Sequence, residues 1–169
     1  MEHRLNILCG AMALLLLGGC TVNYSLSGGS VPATAKTLSV GSLNARAPLC
    51  SPQTAQSITE ALRDLMQAQT PLNLAPRDGD IAYEGAVTGY DVQPVAIQAN
   101  ETAALNRLTI TVSIQYSNKA DSKANADFSV SRFADYPSTQ DLSTVEAALV
   151  GEIGKQLAQD IFDRTLGNW

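Results

Sequence analysis

The first residues able to do chemistry stand together at Leu17-Gly18-Gly19-Cys20. An aliphatic residue, two small residues and a cysteine close an apolar run, the pattern of a bacterial lipobox. The small side chains let a signal peptidase reach the backbone between Gly19 and Cys20. The cysteine thiol then takes acyl chains, and Cys20 becomes the first residue of the mature chain. Each buried methylene of such an anchor contributes roughly 0.8 kcal/mol, so several chains together hold stably. The leader agrees. His3 and Arg4 make a weakly basic start, and residues 5–17 form an apolar stretch, shorter than the ~20 residues that cross a bilayer. The competing reading is an ordinary cleaved signal with a chance cysteine. It leaves two small residues directly before Cys unexplained.

Other chemistry is sparse. The remaining cysteines are Cys9, inside the leader, and Cys50. With Cys20 acylated, no disulfide framework is available within one mature chain. Cys50 reads as a small semi-apolar residue beside a helix start rather than a reactive thiol. The one histidine, His3, also belongs to the leader. The mature chain therefore lacks Ser-His-Asp and Cys-His catalysis and histidine metal ligation. Carboxylates, Ser and Thr are scattered without a recognisable base, nucleophile and orienter. The expectation is a protein that is not an enzyme and carries no metal or cofactor beyond the covalent lipid on Cys20.

The 169 residues carry a formal net charge of -5, with 45% hydrophobic and 16% charged residues. Losing the leader removes Glu2 and Arg4 together and keeps that balance. An acidic chain argues against sequence-independent nucleic-acid binding, which needs clustered Lys and Arg. It also argues against electrostatic adhesion to anionic lipid. A mature chain of about 150 residues suffices for one domain.

The elements that position these groups follow from periodicity. Residues 22–35 are rich in Ser and Gly and read as a tether. Residues 36–43 alternate as a half-buried strand. Pro48 breaks the connection after it. Ser51-Pro52 opens a helix as N-cap and first helical residue. Ala55, Ile58, Leu62, Leu65 and Met66 form its apolar face, and Thr70-Pro71 stops it. Ile81, Tyr83 and Val87 keep period two, then Tyr90 and Val92 fall out of phase. Gly89 marks the change and predicts a β-bulge or kink, and Pro94 puts the strand end at an edge. The Asn100 sequon is accidental on this reading. Leu108, Ile110, Val112, Ile114 and Tyr116 alternate with Arg107, Thr109, Thr111, Ser113 and Gln115, a strand covered on one face. A partner strand carries Phe128, Val130 and Ala134 through Tyr136. The last helix opens on Ser143-Thr144-Val145-Glu146, a capping-box pattern, with Leu142 placed to staple against Ala147. Val145, Leu149, Ile153, Leu157 and Ile161, widened by Val150 and Phe162, form its apolar row. Gly151 and Gly154 suggest a close approach to the sheet or the first helix, and Gly167 ends the helix.

The implied fold is α+β, a two-layer sandwich in the order β-α-β-β-β-α. Two helices pack on one face of a roughly four-stranded, mainly antiparallel sheet. Residues 1–19 form the signal, 20–35 the lipidated tether, and 36–169 a single α/β sandwich domain. The other sheet face, with Thr, Ser, Gln and Arg, is left to solvent or to a polar partner.

Several stretches resemble one family. The lipobox, Tyr24-Ser25-Leu26-Ser27-Gly28, Lys36-Thr37-Leu38-Ser39-Val40 and Asn44-Ala45-Arg46-Ala47-Pro48 are similar to the Bacteroidetes branch of the lipopolysaccharide-assembly lipoprotein LptE. So are Thr59-Glu60-Ala61-Leu62-Arg63-Asp64, Asn106-Arg107-Leu108-Thr109-Ile110-Thr111-Val112, and the run from Asp160-Ile161-Phe162-Asp163 to Asn168-Trp169. The likeness spans almost the whole mature chain, and none of the pieces is a catalytic signature. It implies a non-enzymatic plug inside the outer-membrane β-barrel LptD, helping that barrel assemble and deliver lipopolysaccharide to the outer leaflet. It also implies anchorage in the outer membrane, on the periplasmic side. Arg107 and Arg132, on neighbouring strands, are candidates for contact with lipopolysaccharide phosphate. The reading favoured over this is that they are solvated or paired with carboxylates such as Asp127 and Asp135. Another reading of the whole chain is a generic periplasmic-face lipoprotein adaptor or lipid-binding module, and a lipid carrier would show a deep apolar cavity.

Overall fold

The computed structural model describes residues 32, 34–95 and 104–167. The leader, Gly19, Cys20, most of the tether, the Asn100 sequon and Trp169 lie outside the described residues. Strand β1 (Thr37–Val40) and the short β2 (Asn44–Ala45) precede helix α1 (Pro52–Gln69). The short β3 (Asn73–Leu74) leads to three long strands, β4 (Ile81–Val95), β5 (Leu105–Asn118) and β6 (Ala126–Pro137), and then helix α2 (Leu142–Thr165). The α+β sandwich expected from the sequence is present, with a larger and mixed sheet. Its order is β3-β1-β4-β5-β6, with β2 also on β4. β1 and β2 run parallel to β4, whereas β4, β5 and β6 are antiparallel. The parallel pairing follows from α1, which lies between β1 and β4 as a crossover. β2 and β3 have two residues each, all exposed. So short a segment shows no alternation, and the sequence reads such residues as connections.

The core forms between one face of this sheet and the two helices. Leu108, Ile110, Val112, Ile114 and Tyr116 of β5 are all buried. They meet Ala55, Ile58, Leu62 and Met66 of α1 and Leu149, Ile153, Leu157 and Ile161 of α2 in one cluster. Leu65, expected with the others, is only partly buried. Burying a Leu or Ile side chain contributes ~1.5–3 kcal/mol, so this cluster dominates stability.

The local signals fall largely where periodicity puts them. Ser51 Oγ accepts from Thr54 N at 3.0 Å, Pro52 opens α1, and Thr70 caps its end. The register of β4 against β5 shifts between Val87 and Gly89. Thr88 is the extra residue, and it returns Tyr90 to the face of Tyr83. Pro94 pairs with Asn106 on β5. Neither β1 nor β2 reaches that half of β4, so its edge is open among the described residues. At Gly167 an added Cβ would lie 2.3 Å from Asp163 O, which requires glycine after α2.

Two expectations for α2 are corrected. Its N-cap is Asp141, without a side-chain cap bond, so Ser143 already lies inside the helix. The Ser143–Glu146 pattern is therefore no capping box, because Glu146 is drawn to a partner on the sheet. Of the two glycines, only Gly154 sits in a close approach. A Cβ there would lie 3.5 Å from Ala61 Cβ, whereas one on Gly151 would meet nothing within 4 Å. Gly151→Ala is expected to stabilise the protein by about 0.5–1 kcal/mol through helix propensity, raising the midpoint of thermal unfolding. Gly154→Leu is expected to force the helices apart and cost about 1–3 kcal/mol. Equal melting temperatures for the two variants would contradict this assignment.

Candidate functional site

The outer face of the sheet is built by the same alternation that builds the core. Thr109, Thr111, Ser113 and Gln115 of β5 stand between the buried residues. Ser113 pairs with Ser129, Thr111 with Ser131, and Gln115 with Asp127 on β6. Thr111 Oγ1 donates to Ser131 Oγ at 3.0 Å. Among the described residues no helix covers them, and they leave a broad hydroxyl-rich surface with few charges at its centre. Hydroxyls can donate or accept, so such a surface fits a polar wall better than a lipid phase.

An aromatic residue interrupts this surface. Phe133 is 47% exposed, and the Arg107 guanidinium lies 3.7 Å from its ring centroid. Arg107 is held flat by a two-pronged pair with Asp135, at 2.7 and 2.8 Å. This is the carboxylate pairing that the sequence named as an alternative for Arg107. Arg132 makes a two-pronged pair with Asp160 of α2. Arg132 stands opposite Ile110, and Arg107 opposite Asp135. The two arginines therefore point to opposite faces of the sheet, and the fold does not bring them together. Residue parity along β5 and β6 carried that information, because Arg132 shares its phase with Val130 and Ala134.

On the inner face, two tyrosines of β4 hold the ends of α2. Tyr90 donates to Glu146 Oε1 at 2.7 Å, and Thr54 Oγ1 approaches the same oxygen at 3.5 Å. Tyr83 OH lies 2.7 Å from Thr165 Oγ1. Burial raises the pKa of both phenols, reinforced at Tyr90 by the Glu146 carboxylate. Such phenols stay protonated and act as fixed donors or acceptors. Cys50, close to this group, is buried, and desolvation raises its thiol above the usual range. An activated nucleophile needs the opposite shift. Sequence periodicity marked the two tyrosines as core residues, and their hydroxyl partners lie too far along the chain to be read locally.

A cleft opens on the outer face beside β1. Gly41 N donates to Tyr83 O at 2.8 Å, and Arg46 N to Val87 O at 3.0 Å. Between β1 and β2 the chain carries one more residue than the facing stretch of β4, and there Leu43 N donates to Thr59 Oγ1 of α1 at 3.0 Å. Two lobes result, of about 320 and 670 Å³, which share Gly41, Ser42 and Glu84. Arg46 lines the smaller lobe. Arg63, Arg77 and Lys119 line the larger one. Two of these cations are tied to backbone. Arg63 donates to Val40 O at 2.8 and 3.2 Å, and Lys119 Nζ to Asp78 O at 2.8 Å. At the start of β1, Asp80 Oδ2 accepts from Lys36 N, Thr37 N and Thr37 Oγ1 at 2.9–3.0 Å. Among the described residues, no group of three or more His, Cys, Asp or Glu forms a metal site, and no helix is long and apolar enough to cross a membrane.

This geometry defines a class: a one-sided sandwich that offers a polar surface, with several of its polar side chains, among them Tyr83, Tyr90, Arg63 and Asp80, engaged in holding the fold. The chain belongs to the LptE lipopolysaccharide-assembly family, whose model matches residues 35–165. It is therefore a cell-envelope lipoprotein with a role in lipopolysaccharide transport, from a family of non-enzymatic lipoproteins. No curated protein matches significantly at the sequence level. Among solved structures, the chain is similar to a minor lipoprotein from Acinetobacter baumannii, with 19% identity and a TM-score of 0.50. That match covers 77% of this chain and 91% of the other. An uncharacterized lipoprotein B from Nitrosomonas europaea matches with 12% identity and a TM-score of 0.50, over 83% of this chain and 88% of the other. At these identities the likeness concerns the fold.

Hydrogen bonds from Lys36 and Thr37 hold the Asp80 carboxyl below its usual range, and bonds from Arg107 do the same for Asp135. A depressed folded pKa adds stability that is full above the unfolded value of about 3.9 and fades as pH falls through the folded value. Denaturant midpoints are therefore expected to fall below about pH 4, with a shallower fall in Asp80→Asn. An unchanged pH slope in that variant would remove Asp80 from the account.

Proposed function

We propose that this protein fills the lumen of an LptD-type outer-membrane β-barrel, helps that barrel assemble, and takes part in passing lipopolysaccharide to the outer leaflet. The observation that carries this reading is the uncovered, hydroxyl-rich sheet face on a member of the LptE family. A large barrel has a polar lumen that leaks unless occupied. A sandwich with one polar sheet face can stand against such a wall without exposing a core. The filled interior favours a plug over a lipid carrier, since Leu62, Met66, Ile110 and Ile153 meet where a carrier needs a hollow. On this reading the protein is no enzyme. Gly19 and Cys20 flank the cleavage site, and acyl chains on Cys20 hold the domain to the periplasmic side of the outer membrane. Phosphate contact at Arg107 or Arg132 would have to displace Asp135 or Asp160.

Two measurements test this. Mild detergent extraction of the native protein is expected to bring down a large β-barrel, and a purified protein free of any barrel would sink the plug reading. Cys20→Ala, when its leader is still removed, is expected to appear in the periplasmic soluble fraction of cells lacking the barrel. Its retention in membranes under those conditions would exclude acylation as the anchor.

A further inference from the structure

We propose that the two-lobed cleft beside β1 docks an extended acidic segment of a partner protein. Four cations line it, Arg46, Arg63, Arg77 and Lys119, against Asp78 and Glu84. That is a local positive excess on a chain of net charge -5. The excess is available. Arg46 and Arg77 are exposed, and neither forms an ion pair among the described residues.

The arrangement selects the occupant. Arg46 belongs to one lobe and Arg77 to the other, with Glu84 shared between them. Arg63 and Lys119 are anchored on two separate carbonyls, those of Val40 and Asp78, which occupies donors that a phosphate would need. A single phosphate gains most from converging donors, and here it would also face the Glu84 carboxylate. A linear segment meets neither problem. It can place carboxylates near Arg46 and Arg77 and an uncharged residue opposite Glu84. Ser42, Gln115 and Ser117 along the walls offer partners for its backbone. The cleft serves any acidic partner segment, so this docking and barrel co-purification can fail independently.

The test uses the full mature chain in detergent and a fluorescein-labelled peptide of about eight residues, which reaches at most about 28 Å when extended. The peptide carries Glu at both ends and Ser between, and binding is read by anisotropy. The Glu peptide is expected to bind and to weaken as salt rises. Combined Arg46→Ser and Arg77→Ser substitution is expected to weaken it about tenfold, and Glu84→Gln to tighten it about twofold. All three positions are exposed, so unchanged melting temperatures check the fold. Equal binding of a Gln-for-Glu peptide, or full affinity in the double variant, would overturn the proposal. So would preferential binding of inorganic phosphate or of phosphatidylglycerol vesicles that depends on Arg46 and Arg77, which would assign the cleft to a phosphate ligand.

Discussion

Everything in this domain depends on the one-sided burial of β5. Its apolar residues from Leu108 to Tyr116 are buried, while its alternate Thr, Ser and Gln side chains face outward. Period two along a strand permits no compromise, since a slip of one residue would exchange the two sets. The inner face demands a cover, which α1 and α2 supply. The outer face is polar and requires no cover of that kind.

The bulge at Thr88 keeps this division intact along β4. Without the extra residue, Tyr83 and Tyr90 would point to opposite faces. With it, both phenols lie inside, one against Glu146 and the other against Thr165. One backbone irregularity thereby fixes both ends of α2. The buried phenols and the unactivated Cys50 are consistent with polar chemistry used for positioning.

The outer face differs from a typical solvent face in carrying few charges at its centre and an exposed Phe133 clamped by Arg107. Arg and aromatic residues are enriched where proteins meet proteins. The cleft at the other side of this face adds a local positive excess. Together they present two chemically different ends on one surface, which suits a partner that must be met in one orientation. Membership of a lipopolysaccharide-assembly family gives that surface its setting.

Much of the fold was legible because it rests on local periodicity. The β5 stripe, the faces of α1 and α2, the Ser51 cap and the phase change near Gly89 are all properties of neighbouring residues. Leu17-Gly18-Gly19-Cys20 is likewise a contiguous pattern, and its cleavage and acylation stand as a proposal. What escaped were relations between distant segments. Two-residue strands have no period to detect, so the mixed sheet emerged only once α1 carried the chain across. Glu146 looked like half of a capping box until Tyr90 was placed beside it. Arg107 and Arg132 fall on opposite faces by strand parity, but that Arg132 pairs with Asp160 of α2 is a relation between distant segments. The cleft needs Arg46, Arg63, Arg77 and Lys119 from four stretches of chain. The sequence alone determined which residues must be buried and where the elements begin, because those follow from local geometry. Only the tertiary structure decided which charges meet, because pairing depends on register and crossover.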